Sequence, residues 1–206
     1  MPGMIAGLIL AAGESQRMGR PKALLDWAAK PLLQHQIDEL LAAGCDPIVV
    51  VLGHDAAPIE TAITCAAPCR LVRNDDYRSG RASSIRAGAG ALPDDATAII
   101  VASVDTPLRA ATVRALVEHW QTAQPRSAIV VPRLAGRNGH PALFDAALLP
   151  DLRAVQESSQ GLRAVRRAHT ARTAFLDLDD PLVALNLNTP QAYDAARAAH
   201  GSRSHD

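Results

Sequence analysis

The sequence predicts an α/β protein, a three-layer α/β/α sandwich around a mostly parallel, Rossmann-like sheet. Three observations carry this. Apolar runs of strand length recur at Ile5–Leu10, Ile48–Leu52, Ala98–Val104 and Ala128–Val131, each too uniformly hydrophobic for a strand with one wet face. Amphipathic helical patterns separate them, and the stretches between are long enough for parallel crossovers. The 206 residues are 48% hydrophobic but only 3% aromatic, so the core is expected to be aliphatic and large enough for one domain.

Taken in order, the first run leads into a small-residue loop. Pro31 then suits a helix start, Leu33, Ile37, Leu40 and Leu41 form one apolar stripe, and Gly44 supplies the stop. With Ile48–Leu52 this completes a β-α-β unit. A strand at Arg70–Val72 and a helix over Ser83–Leu92 precede the third run. A helix over Ala110–Thr122, with Leu116, Val117 and Trp120 inward, follows it. From Gly136 to Thr173 the strand signals weaken: a loop at Gly136–Pro141, a short strand at Ala142–Phe144 and a basic helix around Gly161–His169 suggest a subdomain over one sheet edge. Residues 1–200 are expected to form a single domain and residues 201–206 a polar tail.

Basic and acidic residues balance at 21 each, which removes the overall field that a nucleic acid or an anionic membrane would need. The run Met4–Ala12 has no basic leader or cleavage site and meets Glu14 and Arg17 at once, so neither a signal peptide nor a membrane span is expected, and the cytoplasm is the expected compartment. Cys45, Cys65 and Cys69 lack the paired spacing of a zinc site and are expected to be free thiols, although Cys65 and Cys69 fall on one face if helical.

The loop after the first run, Ala11 through Lys22, lies where open α/β sheets bind ligands. Ala11, Ala12 and Gly13 let backbone N–H groups approach phosphate oxygens, while Arg17 and Lys22 supply positive charge. The spacing excludes a Walker loop and a three-glycine dinucleotide loop. The plain alternative is a strand-to-helix turn with two surface cations. Asp105, at the end of the third run, puts a carboxylate on the same sheet edge; beside a triphosphate it suits Mg²⁺, and otherwise Asp105 or Thr106 caps the next helix.

The stretch LILAAGESQRMGRPKALL closely resembles the signature L-A-(A/G)-G-x-S-x-R-M-G-x-P-K of the molybdenum cofactor nucleotidyltransferase-like family, and the likeness extends over roughly residues 5 to 195. The fold this resemblance implies is of the nucleotide-diphospho-sugar transferase type. It implies that Leu10, Ala11, Ala12 and Gly13 contact base and ribose, that Arg17 and Lys22 bind phosphates and act in catalysis, and that Ala12 favours CTP over GTP. The segment Asn186-Leu187-Asn188-Thr189-Pro190 resembles the family's (D/N)-x-(D/N)-T-P-E-D, where Asn188 would hold the metal opposite Asp105. Asn and Thr before Pro also make an ordinary helix cap. Asn186 and Asn188 stand where many cytidylyl members carry Asp, and Gln191 replaces an acid, so the metal site has less charge than the pattern.

Arg73 to Gly88 resembles the family's N-x-x-(Y/W)-x-x-G-x-x-x-S-(L/I)-x-x-G, which implies a nucleotide role for Asn74, Gly80 and Ser84. Gly136 to Pro141 resembles G-x-x-G-H-P, which implies an acceptor role for Arg137 and His140. Asp105-Thr106-Pro107 departs from the family's D-Q-P or D-M-P. The expected function is Mg²⁺-dependent transfer of CMP from CTP to a phosphorylated acceptor, molybdopterin, with pyrophosphate released and a molybdoenzyme or its maturation factor as partner. The alternatives are guanylyl transfer, cytidylyl transfer to a sugar or polyol phosphate, and a non-catalytic nucleotide-binding protein or cofactor chaperone.

Overall fold

The structure is a computed structural model describing residues 3–159 and 161–203. Strands β1 (Ile5–Ala11), β4 (Ile48–Leu52), β5 (Cys69–Arg73), β6 (Ala98–Ser103), β7 (Ile129–Leu134), β8 (Arg137–Asn138), β9 (Ala142–Asp145) and β10 (Thr173–Asp177) form one sheet; β2 (Asp26–Trp27) and β3 (Lys30–Pro31) make a small hairpin. The helices are α1 (Leu32–Ala42), α2 (Ala56–Ala62), α3 (Arg81–Ala91), α4 (Ala110–Thr122), α5 (Leu149–Ala154), α6 (Leu162–Ala168) and α7 (Pro190–Arg203).

The sheet order is β10-β7-β9-β6-β1-β4-β5, with β8 paired to the end of β7. β1 runs parallel to β4 and β6, and β4 parallel to β5. Every residue of β1, β4 and β6 is buried, as parallel strands covered on both faces require. On one face Leu8, Val51 and Ile99 pack with Ile85 of α3 and Leu152 of α5. On the other, Ile9, Val50 and Ile100 pack with Ile37 of α1, Ile59 of α2 and Leu116 of α4. The three expected layers are therefore present. A smaller core of Met18, Leu25, Trp27, Leu182 and Tyr193 ties the N-terminal loop to α7.

Three expectations need correction. The stretch from Gly136 to Thr173 is not a subdomain over an edge: β9 enters the middle of the sheet and runs antiparallel to both β6 and β7. Its apolar Ala142, Leu143 and Phe144 are buried there, which a peripheral position would not achieve. Cys65 and Cys69 form a disulfide across the turn entering β5, with Cα atoms 5.2 Å apart, whereas Cys45 is a buried free thiol pushed up to about 12 by that burial. Lastly, α7 runs through Arg203, so residues 201–203 of the expected tail are helical and residues 204–206 lie outside the described residues. Among the described residues no helix is long and apolar enough to cross a membrane.

Candidate active site

β1 delivers its C-terminal edge into a loop held from three sides. Ser15 and Gly19 adopt left-handed backbone, at φ 53 and φ 68, which turns the chain around two short 3₁₀ segments, Gln16–Met18 and Lys22–Leu24. The Lys22 N–H donates to the Ser15 hydroxyl at 3.2 Å and closes the loop across its mouth. Met18 anchors the loop in the small core. The His54 N–H donates to the Ala12 carbonyl, and Gly53 lies so close that an added Cβ would stand 2.8 Å from that carbonyl oxygen. Among the described residues, the N–H groups of Gly13, Glu14 and Ser15 make no hydrogen bond. They remain available to an anion.

A cavity of about 250 Å³ opens above this loop. Leu10, Ala11, Ala12, Gly13, Lys22, Gly80, Ser84 and Asp105 all line it. Arg17, Lys22 and Asn188 line an adjoining cavity that shares Gly13, Ser15 and Tyr77 with the first. Asn74 is placed differently from the expected ligand position. It is buried, and its amide N–H₂ donates to the Ser83 and Ser84 hydroxyls at 2.8 and 3.0 Å, so it braces the entry to α3 from behind.

Asp105 follows β6, and α4 begins only at Ala110, so Asp105 caps no helix; the Ala110 N–H is satisfied by Glu39 instead. Lys22 Nζ stands 3.6 Å from the Asp105 carboxylate and donates to Asn188 Oδ1 at 2.5 Å. Burial alone would raise the Asp105 pKa, but the Ser103 hydroxyl, Lys22 and Arg81 outweigh it and hold the carboxyl below its ordinary value. Burial lowers the Lys22 pKa, and Asp105 restores only part of the loss. Two oxygens 83 positions apart in the chain thus converge on the Lys22 ammonium. Among the described residues no group of three His, Cys, Asp or Glu gathers anywhere, so a divalent ion here would complete its shell from phosphate oxygens and water. That donor set suits Mg²⁺ or Mn²⁺ and not zinc.

Sequence reasoning missed the residue that makes this convergence possible. Gln36, fully buried on α1, donates to the carbonyls of Ser103 and Thr106 at 3.0 and 2.7 Å and clamps the turn carrying Asp105. The Asp105 carbonyl in turn accepts the Leu187 N–H at 2.8 Å, which sets Asn188 beside it. The available signal was a glutamine on an apolar helical stripe.

A second cavity, about 540 Å³, lies beyond Arg81, which lines both. His140 lines it; Arg137, exposed on β8, does not. Burial lowers the His140 pKa, and Arg81 and Arg166 act in the same direction. The Gly139-His140 backbone is pinned to the segment before α7, since the His140 N–H donates to the Val183 carbonyl at 2.8 Å. A Cβ on Gly139 would stand 2.1 Å from that same oxygen. Gly139→Ala is therefore expected to cost about 2 kcal/mol of stability and to weaken acceptor binding more than nucleotide binding. Denaturant midpoints and separate titrations of the two ligands check this; an unchanged midpoint would contradict the packing argument.

Comparison with known proteins adds a family and several relatives. The sequence profile described as the MobA-like NTP transferase domain matches residues 7–173. The chain is 34% identical, over 90% of its length and 92% of the relative's, to a Paenarthrobacter nicotinovorans protein called nicotine blue oxidoreductase. It is 30% identical to the bifunctional protein GlmU of Anaeromyxobacter sp. (strain K), matching 80% of this chain and spanning 35% of that protein. Among solved structures, Rv0371c of Mycobacterium tuberculosis superposes with a TM-score of 0.82 at 26% identity, covering 96% of this chain and 100% of that one, and has also been solved in complex with manganese. A nucleotidyl transferase from Methanothermobacter thermautotroptrophicus superposes with a TM-score of 0.80 at 26% identity, covering 98% and 99%.

Proposed function

Because this chain belongs to the MobA-like NTP transferase domain family, we propose that it transfers CMP from CTP to a phosphorylated acceptor of the molybdopterin type and releases pyrophosphate, with Mg²⁺ as cofactor. The observation that carries the reading is the convergence of Lys22, Asp105 and Asn188 between a loop of free N–H groups and a second, basic cavity. A nucleotide lying along the loop would place its base end near Leu10 and Ala12 and its phosphates toward Arg17 and Lys22. The Ala12 methyl narrows a cavity of about 250 Å³, which supports a pyrimidine over a purine.

Asp105 and Asn188 would hold the divalent ion, which when bound neutralises charge across the phosphates. Lys22, freed from those two oxygens, reaches the phosphate oxygens, and Arg17 offsets charge gathering on the departing pyrophosphate. Arg81, shared by both cavities, orients an acceptor phosphate oxygen toward the α-phosphorus. No side chain has to form a covalent bond, because positioning and electrostatics suffice for such a displacement.

The test pairs CTP, GTP, ATP and UTP in turn with molybdopterin and with common sugar and polyol phosphates, and follows pyrophosphate. Release with CTP and molybdopterin above every other pairing is the expected result; release from none would refute the proposal. A second reading, a redox role, is favoured by the 34% identity to the protein called nicotine blue oxidoreductase. Consumption of a reduced nicotinamide nucleotide without any pyrophosphate would support it instead.

A further inference from the structure

The adjoining cavity, about 510 Å³, lies where the nucleotide loop faces the turn before α3. Glu14 lines it from the loop and Arg78 from that turn, and the Arg78 Nε donates to the Glu14 carboxylate at 3.3 Å, so one ion pair joins walls 64 positions apart in the chain. Arg17, Lys22 and Asn188 line the same space. Arg78 does not line the first cavity, near whose Leu10 and Ala12 the base end of a nucleotide is placed above; it stands at the phosphate end. Glu14 and Arg78 also fall at unspecified positions of the two motifs, the x of G-x-S and the first x after the aromatic residue of N-x-x-(Y/W)-x-x-G. The pair is a feature of this chain and not of the pattern.

Both partners are placed by their surroundings. Glu14 Oε2 accepts the Gln16 amide N–H at 2.5 Å, which leaves Oε1 to Arg78. The turn carrying Arg78 is set by the Ser79 and Gly80 N–H groups, which donate to the Asp76 and Tyr77 carbonyls. The guanidinium lies over the Tyr77 ring, 5.4 Å from its centre, and Tyr77 lines both cavities. Among the described residues the two Nη groups of Arg78 make no hydrogen bond. An ion pair with a single contact, on an arginine side chain 77% exposed, is worth little in water. The same guanidinium can hold a phosphate through two parallel N–H groups, a stronger contact, so exchange of Glu14 for phosphate is favourable.

We propose that Arg78 is a substrate-binding residue which leaves Glu14 for the two outer phosphates of a nucleoside triphosphate, and that Glu14 is the positioning residue which holds it beside the cavity until the triphosphate arrives. Arg17 and Lys22 meet the phosphates from the loop side, and Arg78 meets them from the opposite wall. The exchange makes the site selective. A monophosphate does not extend to Arg78 and gains nothing from it, whereas a triphosphate replaces Glu14 and ties the loop to the turn through its own charge. This inference rests on the nucleotide reading given above.

The experiment is calorimetric titration of the full chain with CTP, CMP and inorganic tripolyphosphate, each with Mg²⁺ and without acceptor. Arg78→Gln is expected to weaken CTP and tripolyphosphate about tenfold and to leave CMP unchanged. Glu14→Gln is expected to tighten CTP and tripolyphosphate about threefold. In the Arg78→Gln background the same change should have no effect, because no arginine is left to release. Affinities of Arg78→Gln for CTP and tripolyphosphate within about twofold of those of the unaltered chain overturn the phosphate role. Equal weakening of CMP overturns it too, since that marks a structural part played at the turn. Tightening by Glu14→Gln that persists without Arg78 is a general effect of charge and overturns the exchange. No titration requires turnover. An unaltered chain that binds neither CTP nor tripolyphosphate loses this inference and the nucleotide reading together, whereas undiminished binding by every variant overturns this inference alone. A chain that passes here but releases no pyrophosphate loses only the transferase reading.

Discussion

Asp105→Ala is expected to lower pyrophosphate release by about a thousandfold or more at saturating metal and triphosphate. The size of the effect follows from the surroundings of the carboxylate. Asp105 is the one acid lining the nucleotide cavity among the described residues, and neighbouring Ser103, Lys22 and Arg81 keep its carboxyl below its ordinary pKa despite burial. It is therefore charged at neutral pH, as the proposed metal role requires. The fold should survive the change, because Gln36 and Leu187 hold this turn through backbone groups and not through the Asp105 side chain. A melting temperature close to that of the unaltered chain, with turnover gone, is the expected pair of results. Turnover within tenfold of the unaltered chain would remove Asp105 from the metal site.

Lys22→Met is expected to lower turnover by about a hundredfold, and yet to have the opposite effect on metal binding. The ammonium now sits on both Asp105 and Asn188, where a divalent ion would bind. Removing its charge leaves the two oxygens facing each other across a half-buried gap, so Mn²⁺ should bind about tenfold tighter in the absence of nucleotide. Electron paramagnetic resonance titration of free Mn²⁺ reads this directly. Asp105→Ala should weaken the same binding, so the two variants move it in opposite directions while both lose turnover. If Lys22→Met instead weakens Mn²⁺, the ammonium is no stand-in and the ion binds elsewhere.

The donor half of this site was legible in the sequence because it depends on local pattern. β1, β4 and β6 are uninterrupted apolar runs, α4 has the bounds its periodicity predicts, and Asp105 stands one residue past the end of a run. Eight of the expected residues line one cavity, seven from the end of β1, its loop and the start of α3 and the eighth Asp105, because they lie at or beyond the carboxyl ends of β1, β5 and β6. The second cavity, where the acceptor is proposed to bind, depends on long-range pairing. β9 is only four residues long, and nothing local in Ala142–Asp145 says that it inserts between β6 and β7. With its position unknown, the association of Arg81 with Arg163 and Arg166 could not be foreseen. Asn74 shows a further limit: a motif position specifies that a side chain matters but not how, and here its amide supports the Ser83 and Ser84 hydroxyls at the start of α3. The Cys65–Cys69 bond was hidden because it closes across the turn at 67–68, whose shape the spacing of two cysteines does not specify.

The strand order has a metrological consequence. β1, β6 and β9 are neighbours, and they carry respectively the nucleotide loop, Asp105 and the chain emerging from His140. Adjacent strands lie about 4.8 Å apart, so the loop after β1 and the loop before β9 are held about 10 Å from each other by backbone hydrogen bonds. The sheet works as a ruler. In the proposed reaction the two substrates would span that distance, so a slip in the register of β6 against β1 or β9 is expected to cost turnover.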